Sequence, residues 1–152
     1  MRFTLRIPFL ARDTQPSSMP EQFFAATNAE RTTMGLTPYW WSERAAKVAQ
    51  ARADDMVARD YFAHKTPDGV SGYVEELAKQ GVTTFAWAGE NLAANSYPAS
   101  QAIERSIATL MNSPTHRANI VDPEFDSCGI GYAERPTKVH VFVSIFLAGV
   151  GP

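Results

Sequence analysis

The chain has 152 residues, 45% of them hydrophobic, enough for one domain with a substantial core. A formal net charge of -2, from 14 basic and 16 acidic side chains in no long run of either sign, excludes the electrostatic footprint of a nucleic-acid or anionic-membrane binder. The single cysteine, Cys128, excludes an internal disulfide and a cysteine-cluster metal site.

The first residues, MRFTLRIPFLA, hold two arginines and a short apolar run broken by Pro8. That run is too short to cross a bilayer and makes no clear signal peptide, so it reads as an N-terminal strand or arm. DTQPSSMP, with two prolines among turn formers, is a linker; residues 1–19 are therefore arm and linker, and the folded domain covers 20–149. PEQFFAATNAERTTMGL predicts a helix with proline in its first turn and Gly35 at its stop, with Phe23 and Phe24 as core. Tyr39, Trp40 and Trp41 then form a loop that serves either as core or as an exposed apolar contact. From Ser42 to Arg59 a second helix carries Ala46, Ala49, Ala53 and Met56 on one stripe, and such small residues imply close packing.

DYFAHKTPDG follows as a turn segment, and Ser71 to Gln80 predicts a shorter helix stopped by Gly81. FAWAGENLAA is apolar around one acid, Glu90, and suits a buried strand. SYPASQAIERSIATLMNS is amphipathic and helical, with Ser96 or Ser100 available as its cap. Ser113 and Pro114 restart a short helix. CGIGYAE and the β-branched, aromatic run VHVFVSIFL flank a turn through Arg135, Pro136 and Thr137 and predict a β-hairpin. Helices first and paired strands last argue for an α+β fold.

His64 and His116 stand in polar, turn-flanked contexts where a ring nitrogen can face a cleft, whereas His140 lies inside the last strand run. His116 falls at the third position of the helix that Ser113 opens, within reach of a serine cap on its backbone amide. Taken singly, His64 reads equally well as a helix-terminal histidine, and Glu90 as a buried acid paired with a backbone donor or an arginine. Neither HExxH, CxxC, GxSxG nor a phosphate loop occurs.

FAHKTPDG, AGENLAA, LMNSPTHRANIVDPEFDSCGIGYA and VHVFVSIFL, preceded by TNAERTTMGLTPYWWSERAAKVAQARADDM, together resemble the ordered motifs of the CAP superfamily, the SCP-like domain, and most of all its bacterial branch. The resemblance spans about residues 20–148. It implies a three-layer α-β-α sandwich with a central antiparallel sheet, and a cleft built from His64, Glu90 and His116 with Asn91 and Ser113 in support. Ser113 stands where eukaryotic members carry a second acid, so the full set of two histidines and two acids is not present.

Two imidazoles and a carboxylate suit a divalent ion such as zinc, and loss of one acid implies weak affinity. A hydrolase would need a nucleophile: Ser113 reads as a helix cap and Cys128 as an inert core thiol. The favoured expectation is therefore an extracellular or cell-envelope, monomeric binding or interaction module rather than an enzyme. Its partner would be a small apolar ligand, a glycan or a protein, and not nucleic acid. A metal-dependent hydrolase using the same cleft and a lipid- or sterol-binding module stay open as alternatives. So does a purely structural hydrogen-bond network.

Overall fold

The computed structural model describes residues 17–150, so all but the end of the expected N-terminal arm lies outside the described residues. A reciprocal cap opens it: Glu21 Oε2 accepts from the Ser18 amide at 2.7 Å and Ser18 Oγ accepts from the Glu21 amide at 3.4 Å, starting helix α1 (Met19–Thr33). Gly35, at φ 73°, ends that segment in the left-handed conformation. Strand β1 (Trp40–Trp41) leads into α2 (Glu43–Ala58), capped by Ser42 Oγ on the Ala45 amide at 3.2 Å. There follow α3 (Gly72–Lys79), β2 (Trp87–Asn95), α4 (Ala99–Asn112), α5 (Pro114–Val121), β3 (Ser127–Glu134) and β4 (His140–Ala148).

The sheet runs β1-β3-β4-β2. Its body is antiparallel, and β1 adds a two-residue parallel edge through Trp40↔Ser127 and Trp41↔Cys128. Every residue of β4 is buried, and its period-two alternation sorts them onto two faces. Val141, Val143, Ile145 and Leu147 pack with Val48, Ala49 and Met56 of α2 and Leu77 of α3. Phe142, Phe146 and Ala148 pack with Phe23 of α1, Leu110 of α4 and Ile120 of α5. Helices on both faces make the α-β-α sandwich that the resemblance implies, and the long buried run of the last strand is its middle layer.

The alanine stripe of α2 does what its small side chains predict. A Cβ added to Gly131 would collide with the carbonyl group of Ala49, and one on Gly129 with the amide nitrogen of Ala46. The helix backbone thus rests directly on β3, which only glycine permits. Beyond β1 the outer edge of β3 is met by a side chain. Gln50 donates to the Tyr132 carbonyl at 2.8 Å and accepts from the Tyr132 amide at 3.1 Å, blunting the open edge.

Two local expectations change. Neither Ser96 nor Ser100 caps α4; Pro98 occupies the cap position with no side-chain bond. Asn95 takes over the local role: its Oδ1 accepts from the Tyr97 amide at 3.2 Å and its Nδ2 reaches the Ala102 carbonyl at 3.0 Å, tying the end of β2 to α4. Of the aromatic loop, Tyr39 is core at 3% exposed, while Trp40 and Trp41 are half-buried in the edge strand.

Candidate functional site

Glu90 sits mid-strand in β2 with a fully buried side chain, and a buried carboxylate requires a partner. Arg52, on the apolar face of α2, supplies it: Nε donates to Glu90 Oε2 at 2.9 Å and Nη2 to Oε1 at 3.4 Å. The same guanidinium donates to the Tyr61 hydroxyl at 2.6 Å and to the carbonyls of Ala63 and His64 at 2.7 and 3.2 Å. It therefore anchors the loop between α2 and α3 as well as the acid. The Tyr61 hydroxyl in turn donates to Asp55 Oδ2 at 2.5 Å. Gly72 makes room for this arrangement, since a Cβ there would collide with the Arg52 guanidinium.

His64 closes over Glu90 from the solvent side, Nδ1 to Oε1 at 2.8 Å, with 54% of its side chain exposed. An ionised carboxylate only accepts, so the bond holds a proton on Nδ1 and turns Nε2 outward.

His116 is set differently. Ser113 occupies the cap position of α5 as expected, but its Oγ does not reach a backbone amide; it bonds the ring of His116 at Nδ1, 2.8 Å away. The Asn91 amide donates to the His116 carbonyl at 2.8 Å and accepts from Asn119 Nδ2 at 2.9 Å, pinning α5 to β2. Burial, and secondarily the neighbouring charge of His64, hold the His116 imidazole below the ordinary histidine range. His64, Glu90, Asn91, Ser113 and His116 thus form one neighbourhood where α5 and the loop before α3 meet β2.

The donor set is thinner than three ligands. Among the described residues no group of three or more His, Cys, Asp and Glu side chains is arranged to hold a metal. Both oxygens of Glu90 are engaged by Arg52 and His64, so the acid stands behind His64 as its orienting partner. The Nε2 atoms of His64 and His116 make no hydrogen bond with any described residue, since each ring is bonded through Nδ1.

Arg52 and Asn119 escaped the sequence reading. A signal was nevertheless present for Arg52: it recurs three residues after Ala49 and four before Met56, on the buried stripe, where a lone cation demands a buried acid. His140 is a strand residue engaged by neighbours, Nδ1 with the Tyr132 hydroxyl at 2.9 Å and Nε2 with the Tyr97 carbonyl at 3.0 Å. Cys128 is fully buried, and burial pushes its thiol far above the usual range.

Known proteins share this architecture. A model of the cysteine-rich secretory protein family, CAP, matches residues 24–146. The Bacillus subtilis protein YkwD is 34% identical over 118 residues, 78% of this chain and 44% of that protein. The crystal structure of an extracellular SCP-domain protein from Bacillus anthracis has a TM-score of 0.71 and 28% identity, covering 85% of this chain and 40% of that one. An outer surface protein from Borrelia burgdorferi, with a TM-score of 0.73 and 18% identity, covers 84% and 90% respectively and shares the fold. The chain spans less than half the length of YkwD and of the anthracis protein. No described helix is long and apolar enough to cross a membrane. With the family's match running from α1 into the central strand β4, the chain belongs to the CAP family of cysteine-rich secretory proteins.

Proposed function

We propose that this domain is an extracellular binding or interaction module whose cleft presents the Nε2 atoms of His64 and His116 to its ligand and holds a divalent cation such as zinc weakly. The observation that carries the reading is the pair of tied Nδ1 atoms, one on Glu90 and one on Ser113, each 2.8 Å away. Imidazoles held from behind by an oxygen on the far ring nitrogen are the usual arrangement of metal-facing histidines. The lowered proton affinity of His116 favours the neutral, lone-pair form near pH 7. Extracellular placement is supported by the description of the anthracis relative as an extracellular protein.

One observation favours a hydrolytic reading different from the metal-dependent one, through a serine: Ser113 Oγ lies within hydrogen-bond reach of His116. It is the weaker reading. The contact uses Nδ1, and no described carboxylate orients the other ring nitrogen. Both carboxylate oxygens of Glu90 are already engaged, by Arg52 and His64.

The test is calorimetric titration of zinc into chelator-stripped protein near neutral pH, beside the His64→Ala, His116→Ala double variant. Saturable one-to-one binding that the double variant loses supports the cleft. Absence of heat in the parent protein overturns the metal reading and turns attention to ligands extracted from the purified protein. Turnover of an ester probe lost in Ser113→Ala would favour the hydrolase.

A further inference from the structure

We propose that the pocket between β2 and α4, beside His116, binds a small monocarboxylate with a compact apolar body, its carboxylate on Arg105. The cavity holds about 180 Å³ and is walled by Phe62, Leu92, Leu110 and the aliphatic surface of β2, with Tyr97, Arg105 and His116 around it. That volume takes a single ring or a short branched chain and is too small for a long acyl chain.

Three features select an anion with an apolar body. First, Phe62 and Tyr97 are large apolar side chains left 45% and 46% exposed at this pocket, so apolar surface there is uncovered. Second, the Arg105 guanidinium makes no hydrogen bond or ion pair with any described residue; it is steadied only by the Tyr97 ring, 5.0 Å from its centroid. Third, no acidic residue lines the cavity, and the side chains of Asn95, Ser106 and Thr109 are already engaged within the fold. Asn95 Nδ2 donates to Ser106 Oγ at 2.8 Å, and Thr109 Oγ1 donates to the Arg105 carbonyl at 2.9 Å. A guanidinium fork, pre-set on an aromatic face, matches a carboxylate in shape and charge. The site shares His116 with the imidazole pair but needs neither His64 nor a metal.

Phenylacetate serves as the probe and 2-phenylethanol as its uncharged counterpart, with binding followed by amide chemical shifts of the isotopically labelled whole chain. Phenylacetate should perturb the amides of β2 and α4 saturably in the millimolar range or below, and should bind about tenfold or more tighter than the alcohol, as expected for a hydrogen-bonded charge. Arg105→Gln, at an exposed helix position, should remove that advantage, and Thr109→Phe should fill the cavity and abolish binding, both with the spectrum of the folded protein intact. His64→Ala should leave phenylacetate affinity unchanged even while it weakens zinc, which separates this site from the metal reading. Equal binding of acid and alcohol, unchanged affinity in Arg105→Gln, loss of affinity in His64→Ala, or no shift at millimolar phenylacetate would each overturn the proposal.

Discussion

Arg52 Nε lies 2.9 Å from Glu90 Oε2, and the two side chains are 1% and 0% exposed. A pair so far from water is costly to halve, because the survivor is a buried, uncompensated charge. Arg52→Met is expected to lower unfolding free energy by about 3–5 kcal/mol in urea denaturation at neutral pH. Adding Glu90→Leu should recover most of that loss; a double variant as unstable as the single one would refute the pairing account and point to the loop carbonyls of Ala63 and His64 as the partners that matter most to Arg52.

Ser113 holds the ring of His116 rather than the backbone of α5. Ser113→Ala should therefore cost less than about 1 kcal/mol, within the range of a single partly exposed hydrogen bond. Its visible effect should be on the imidazole: the ¹⁵N shifts of His116 should move toward the tautomer mixture of free imidazole. A large stability loss with unchanged ring shifts would instead show Ser113 acting as an ordinary cap.

His116 should titrate below the ordinary histidine value of about 6.5, and in His64→Ala it should recover only partway, because burial is the larger cause and the charge of His64 the smaller. Between the ordinary value and the lowered one the unfolded chain binds more protons than the folded one, so stability present above about pH 6.5 is lost as pH falls through the His116 midpoint. Thermal unfolding midpoints at about pH 7.5 and pH 5.5 check this, with His116→Gln expected to flatten that part of the profile.

Gly131→Ala and Gly35→Ala separate two uses of glycine. The first drives a methyl into the backbone of α2 and should cost about 3 kcal/mol or more by overpacking. The second meets no atom within 4 Å and should cost only about 1 kcal/mol, from its φ of 73°. Equal losses in chemical denaturation would mean that α2 yields to the methyl.

What could be read from the chain alone follows from periodicity and punctuation. The alanine stripe of α2, the long apolar run of β4 and the proline and glycine stops are local signals, and they located the helices and strands β2 to β4 to within a few residues, whereas the two-residue β1 was read as a loop. Motif order then pointed to the CAP fold and to His64, Glu90 and His116. Partnership was beyond it. Arg52 and Glu90 are 38 residues apart; Glu90 stood out as one acid in an apolar segment, but Arg52 went unnoticed until α2 was laid against β2. Likewise Ser113 carried the signature of a cap, but its choice between a backbone amide and an imidazole depends on how α5 is set against β2, where the Asn91 amide donates to the His116 backbone carbonyl. The pocket at Arg105 joins α4, β2 and the loop bearing Phe62, three segments with no common pattern. Local preference decides which conformation a segment adopts; which buried charge meets which, and where a cavity is left, is decided only when distant segments compete for the same space.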